Sequence, residues 1–215
     1  MAGAWTFYYR EGFKASDDRQ RAGIKAIKQE LIYNGYDKGI DLTMVNVFGT
    51  AVSNRSKEFQ AANGLVSDGV VGPNTALVLF RKRCRAAESS KGIPDKLVGR
   101  TGTLESNNDP IAEGYADPED EGWGQIHLPF FPNVSIEQAW DPAYAIPFTA
   151  NKLASDITYC DNDVDGGLAA YNVGRTYARR WVRAGKPASG GPELGGEDAY
   201  VRATRYVELV RGSRA

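Results

Sequence analysis

The sequence is poor in cysteine, methionine and histidine, with only Cys84, Cys160, two methionines and His127, and it carries no excess of either charge. Two cysteines far apart in sequence do not make a disulfide framework. Cys84 falls on one helical stripe with Leu77 and Phe80, so both are read as buried thiols. A net charge of -1 leaves no electrostatic footprint for nucleic acid, which is therefore not expected as a partner. No run approaches the ~20 apolar residues of a membrane span, so no membrane insertion is expected. The opening Met1-Ala2-Gly3-Ala4-Trp5 lacks the basic start and apolar core of a secretory signal, and the expectation is a protein made in the cytosol. No repeat, nucleotide-binding glycine loop or strand-rich region is found, and no cofactor is expected.

What is present is ordinary for a folded chain: 25% charged and 42% hydrophobic residues in 215. That length favours one medium domain and one small one. Basic residues cluster at Arg81, Lys82, Arg83 and Arg85, and again at Arg175, Arg179, Arg180 and Arg183. Such clusters read as solvated helix faces, which would also suit a polymer carrying carboxylates.

Taken in order, residues 1–17 form an arm with an aromatic cluster, Trp5, Phe7, Tyr8 and Tyr9. Asp17 or Asp18 can cap a helix in which Ile24, Ile27 and Leu31 recur at helical spacing, and Gly35 is placed to end it. A second helix runs through Val52, Ser56 and Phe59 to Gly64. A third begins after Pro73, with Asn74 as its expected cap and Leu77, Phe80 and Cys84 inward. The stretch 86–91 is small and polar, as a linker or frayed helix end would be, and a second domain is expected over residues 92–215. There, an acidic loop of Asp117, Glu119, Asp120 and Glu121 leads into Gly122-Trp123-Gly124-Gln125. Pro142 opens a helix with Ile146, Ala150, Leu153 and Ile157 inward, and another carries Leu168, Tyr171 and Asn172 on one face. The glycine- and proline-rich segment 185–196 reads as a mobile loop. A last helix shows Tyr200, Ala203, Val207 and Val210 at helical spacing.

Glu105 is the residue on which a functional reading turns. Thr101, Val98 and Leu97 precede it at i-4, i-7 and i-8, so its carboxylate continues the apolar stripe of a helix expected to start at Pro94. Desolvation and the helix C-terminus would both raise its pKa towards the range of a general acid. A structural ion pair with an arginine fits the same geometry, and helix periodicity leaves the two open.

Two resemblances add to this. Phe48-Gly49-Thr50, Lys57-Glu58-Phe59-Gln60 and the run Gly64 to Thr75, which holds Asp68-Gly69 and Gly72-Pro73-Asn74-Thr75, closely resemble the three-helix peptidoglycan-binding domain of cell-wall hydrolases. The likeness covers about residues 18–85, and most of its residues read as structural. Farther on, Glu105-Ser106, Gly122 to Ile126, Leu168 to Gly174 and the Tyr200 to Val207 region resemble, in order, the catalytic domain of soluble lytic transglycosylases and goose-type lysozymes. The fold class implied is mainly α, a small three-helix binding domain followed by a helical lysozyme-like domain. Peptidoglycan is the implied partner of a monomeric protein, and the implied reaction is cleavage of the β-1,4 bond between N-acetylmuramic acid (MurNAc) and N-acetylglucosamine (GlcNAc).

In this resemblance Glu105 is the acid, and as a base it would then close a 1,6-anhydro ring. Ser106 and Gln125 would order Glu105 and the sugar, Tyr171 would lie beside the acid, and Asn172 and Tyr206 would meet the substrate. Two features depart from the family. Trp123 and Gly124 stand where Leu and Met are usual, so Trp123 either stacks on a sugar or fills space left by Gly124. His127 falls where goose-type lysozymes carry an acidic residue that helps position water, which tilts the expectation from hydrolysis towards ring closure; Asp117, Asp120 or Glu121 could supply a second carboxylate. The architecture also resembles bacteriophage endolysins, which implies residence in the host cytoplasm until release to the wall. A hydrolytic muramidase and an inactive wall-binding protein are the rivals. The run Asp161 to Gly166 copies the start of a calcium loop but has Asn172 at its twelfth position, so a capping turn is expected and no metal.

Overall fold

The computed structural model describes residues 8–115 and 117–212. Trp5 and Phe7 of the aromatic cluster lie outside them. Nine α-helices among the described residues carry almost all the regular structure, so the protein is mainly helical.

The first three helices are α1 (Asp18–Tyr33), α2 (Thr50–Ala62) and α3 (Pro73–Lys91). Asp17 caps α1 by accepting from the Gln20 amide at 2.8 Å, and Ile24, Ile27, Leu31, Phe59, Leu79 and Phe80 fill the space between the helices. Tyr9 pairs with Val71 as an isolated bridge and packs on Phe13 and Phe48. Gln60 is the polar centre of this unit. Its amide donates to Asp68, Val70 and Thr75 and accepts from Gly69 N at 2.8 Å, so the Asp68-Gly69 turn is built on one buried side chain. Helix α3 opens with Pro73 at its first position and Gly72 as its cap. Asn74, expected as the cap, instead lies in the first turn.

The expected linker at 86–91 is the last part of α3. Arg85, Ala86, Ala87, Glu88 and Lys91 are good helix formers, and the helix ends only at Gly92 in a left-handed conformation, φ 63°. Ala87 and Glu88 are buried. Helix α4 (Leu97–Ser106) starts three residues later than Pro94, because Lys96 takes φ 73° as its cap. In place of a local cap, Glu88 accepts from the amides of Lys96 at 2.9 Å and Val98 at 2.8 Å. One carboxylate of α3 thus supplies partners for donors that a helix start leaves without intrahelical bonds.

After α4 comes a hairpin, β1 (Asp120–Glu121) and β2 (Ile126–His127), with Asp120 opposite His127 and Glu121 opposite Ile126. A short α5 (Ile136–Ala139) leads to α6 (Pro142–Tyr159), α7 (Val164–Val173), α8 (Arg175–Arg183) and α9 (Ala199–Gly212). Ile146, Ala150, Leu153, Leu168, Ala203 and Val210 are buried between these helices and continue the hydrophobic cluster of the first three. The segment 185–196, read as a mobile loop, enters a second hairpin, β3 (Glu193–Leu194) with β4 (Glu197–Asp198). Asp198 ties it down by accepting from Gly190 and Gly191 while capping α9 through the Tyr200 amide. Cys84 and Cys160 are free and buried.

Candidate active site

A cleft of about 1240 Å³ opens between α4, the β1–β2 hairpin, α6, α7 and α9. Glu105 lies in its wall near the C-terminal end of α4, partly buried, while Leu97, Val98 and Thr101 of the same stripe are in the core. Burial pushes its carboxyl up to about 7; a hydrogen bond from Tyr206 and the charge of Lys152 oppose that shift, and Asp120 reinforces it. The Tyr206 hydroxyl donates directly to Glu105 Oε1. That phenol is held protonated by burial and by Glu105 itself, so it remains a donor across the working pH range.

Tyr171 stacks on Tyr206 with ring centroids 6.5 Å apart. Its hydroxyl donates to the Gly124 carbonyl at 2.7 Å and lies 3.4 Å from Thr149 Oγ1. The ammonium of Lys152 sits 4.2 Å over the Tyr171 ring and pairs with buried Asp156 at 2.8 Å. The sequence pattern did not single out Lys152; its i,i+4 spacing to Asp156 was the available signal.

The run Gly122 to His127 is the turn and second strand of the hairpin. Gly122 needs its residue type twice over, since φ is 73° and a Cβ would lie 1.8 Å from the Ala139 carbonyl. Gln125 takes φ 47° and lines the cleft, its amide donating to Gly122 O at 3.1 Å and Ala112 O at 3.3 Å. Trp123 turns the other way. It is fully buried, donates to Asn108 at 3.3 Å, and packs so closely on α4 that a Cβ on Gly102 would meet its ring at 2.0 Å. Stacking on a sugar is therefore ruled out for Trp123, and the space it fills lies over Gly102. Ser106 is also fully buried and donates to Trp123 O at 2.8 Å and Gly102 O at 3.1 Å. Ser106 thus joins the hairpin to α4 from behind and does not face the cleft.

The remaining residues divide in the same way. Asn172 lines the cleft and accepts from Arg202 Nε at 3.3 Å, joining α7 to α9. Tyr206 is buried, is not among the residues lining the cleft, and reaches Glu105 from behind. Of the acidic loop, Asp120 lines the cleft, with His127 Nδ1 at 3.0 Å from its carboxylate. Glu121 points away, buried against Arg19 at 2.7 Å and Trp140 Nε1 at 2.8 Å. His127 also packs edge-on against Phe130 at 4.4 Å. Asp117, Glu119 and His127 bring three possible metal-ligating atoms within 4.8 Å of one another, the one such group among the described residues, and Glu119 is exposed. In the calcium-like run, Asp163 caps α7 by accepting from Gly166 N at 2.8 Å. Asp161 pairs with Arg179 and Arg183, and Asp165 with Lys186 and Arg211, so the run is a capping turn whose flanking acids are neutralised by arginine and lysine.

Together these features define a helical protein of two parts, a compact three-helix unit and a cleft-bearing unit with an acid of raised pKa in its wall. Residues 20–79 match the family model of a peptidoglycan binding domain, a match that ends within α3. The match supports a peptidoglycan-binding module within α1–α3 and, with it, peptidoglycan as a partner. No curated protein matches the chain.

Proposed function

We propose that the protein binds peptidoglycan through α1–α3 and cleaves its glycan strands in the cleft, with Glu105 as the acid. The observation that carries this reading is a carboxyl of pKa about 7 exposed to a long cleft and hydrogen-bonded from behind by Tyr206. A general acid works best when its pKa lies near the working pH. Glu105 would protonate the glycosidic oxygen between MurNAc and GlcNAc, and the C1–oxygen bond would break with its electron pair staying on that oxygen. The resulting carboxylate would take the proton of the C6 hydroxyl on the same muramic residue, whose oxygen closes on C1 as a 1,6-anhydro ring. Support for this water-free route comes from the apolar part of the cleft, Ile126, Phe130, Phe131 and Phe148.

Hydrolysis is the second reading, favoured by one observation. Asp120 lines the same cleft as Glu105 and is fixed by His127, where it could hold a water on the face opposite the acid. The pairing of a wall-binding module with a glycan-cleaving unit further supports a bacteriophage-type lysin that resides in the host cytoplasm until release. The test is Glu105→Gln, expected to abolish solubilisation of purified sacculi while pull-down with them persists. Undiminished solubilisation by that variant would refute the assignment.

A further inference from the structure

The charges lining the cleft bear on which substrate it holds. Beside Glu105, Asp120 and the aromatic wall it carries three cations, Lys152, Arg175 and Arg202. Asp156 is fully buried and accepts from both Lys152 and Arg175, so two of the three cations share one carboxylate. Arg202 is the least compensated. Its guanidinium donates to Asn172 Oδ1 at 3.3 Å, Asn172 O at 3.5 Å and Leu194 O at 3.4 Å, all neutral acceptors, and it makes no ion pair among the described residues. Those contacts fix the plane of the guanidinium without neutralising it, a preorganised form for receiving a carboxylate.

The basic strip does not stop at the cleft. A shallow depression of about 550 Å³ continues past Asn151, Ser155 and Arg175 to Tyr159 and Lys91. Lys91 is exposed in the last turn of α3, the helix whose N-terminal part belongs to the wall-binding module, and it too makes no ion pair among the described residues. The track is thus a side branch, leading from the place where a glycan would lie towards the binding module.

We propose that this branch and the cleft it leaves form a subsite for the peptide stems of the glycan strand, recognising their carboxylates through Arg202 of the cleft, Arg175, which lines both, and Lys91 of the branch. The inference rests on the reading that glycan lies beside Glu105. A strand carries its peptides on the lactyl group of each muramic residue, so a stem must leave the cleft sideways, and its free carboxylates are what Arg202 and Lys91, with the shared Arg175 between them, complement. Asn151 and Asn172 add amide groups suited to a peptide backbone.

Binding tests this directly, with Glu105→Gln as the uncut form of the full chain. The probes are a short glycan fragment bearing its tetrapeptides and the same fragment stripped by an amidase, which retains only lactyl carboxylates. The stem-bearing fragment is expected to bind about tenfold tighter at low salt, an advantage reduced by high salt. Adding Arg202→Gln, Lys91→Gln or both should erase it stepwise, each variant being checked for an unchanged melting profile. Equal affinity for the two fragments, or an advantage that survives in the double variant, overturns the proposal. An equal loss for both fragments assigns the track to lactyl carboxylates and overturns the stem assignment. Cleavage is scored separately: if sacculi are not cut but the stem preference holds, the proposed reaction falls and this subsite stands.

Discussion

Glu105 carries a cost to the fold as well as its proposed chemical role. Its pKa in the native state is raised to about 7 from the ordinary carboxylate value it regains on unfolding, so the folded protein binds this proton more tightly. Stability from this group is complete below about pH 4.5 and is lost as pH rises through about 7. Glu105→Gln keeps an acceptor for Tyr206 but has no charge to bury, so it should gain about 1–3 kcal/mol over the parent at pH 8 and almost nothing at pH 4; denaturant melts at both pH values measure this. Activity should fall on the alkaline side as Glu105 loses its proton. Tyr206→Phe removes a donor that favours the anion, so the alkaline limb of the pH–rate curve should move upward, an outcome a purely structural tyrosine would not give. The stripe Leu97, Val98, Thr101 made the placement of Glu105 legible, because helical periodicity alone decides it. The orientation of Trp123 and Ser106 was not legible, since it depends on Gly102 and Asn108 across a tertiary contact.

Among the elements, α6 and the hairpin contribute most to the lining of the cleft, while α3 acts at a distance by fixing the start of α4. Small polar residues at 86–91 resemble a linker by composition, yet their helix propensity and the left-handed stop at Gly92 extend α3 until Glu88 can cap α4. A cap supplied from ten residues upstream leaves no local signature before α4, so the sequence alone points to Pro94 while the helix starts at Leu97. Glu88→Ala should therefore cost on the order of 2 kcal/mol, more than an exposed cap, because it strips buried amides of their partner. Thermal denaturation of the variant gives the value, and a change within experimental scatter would mean that the α4 start is satisfied otherwise. The hairpin was legible only as a conspicuous Gly-Trp-Gly-Gln run, since strands of two residues are too short for alternation to register.

For the whole molecule, the two parts share one continuous hydrophobic cluster, and a polar contact joins them beside it. Arg19 of α1 pairs with buried Glu121 at 2.7 Å, reaches Ile111 O at 3.2 Å, and lies 5.1 Å over the Trp140 ring. Glu121 adjoins Asp120, so a residue of α1, next to the matched module, steadies the strand that lines the cleft. Removing one partner of a buried pair is strongly destabilising, and Arg19→Ala should cost on the order of 3 kcal/mol. It should also slow sacculus digestion, with partial recovery in Arg19→Lys. The peptidoglycan-binding module could be read in the sequence from its motifs, but its junction with the rest of the chain could not, because Arg19 and Glu121 are distant along the chain and nothing local marks either for the other. The central claim is that Glu105 opens the glycan strand. Its most direct test is mass spectrometry of the fragments released from purified sacculi. Muropeptides ending in 1,6-anhydro-MurNAc, absent from the Glu105→Gln digest, are the predicted result; reducing MurNAc ends would transfer the assignment to the hydrolytic route through Asp120, and uncut glycan strands would contradict the account.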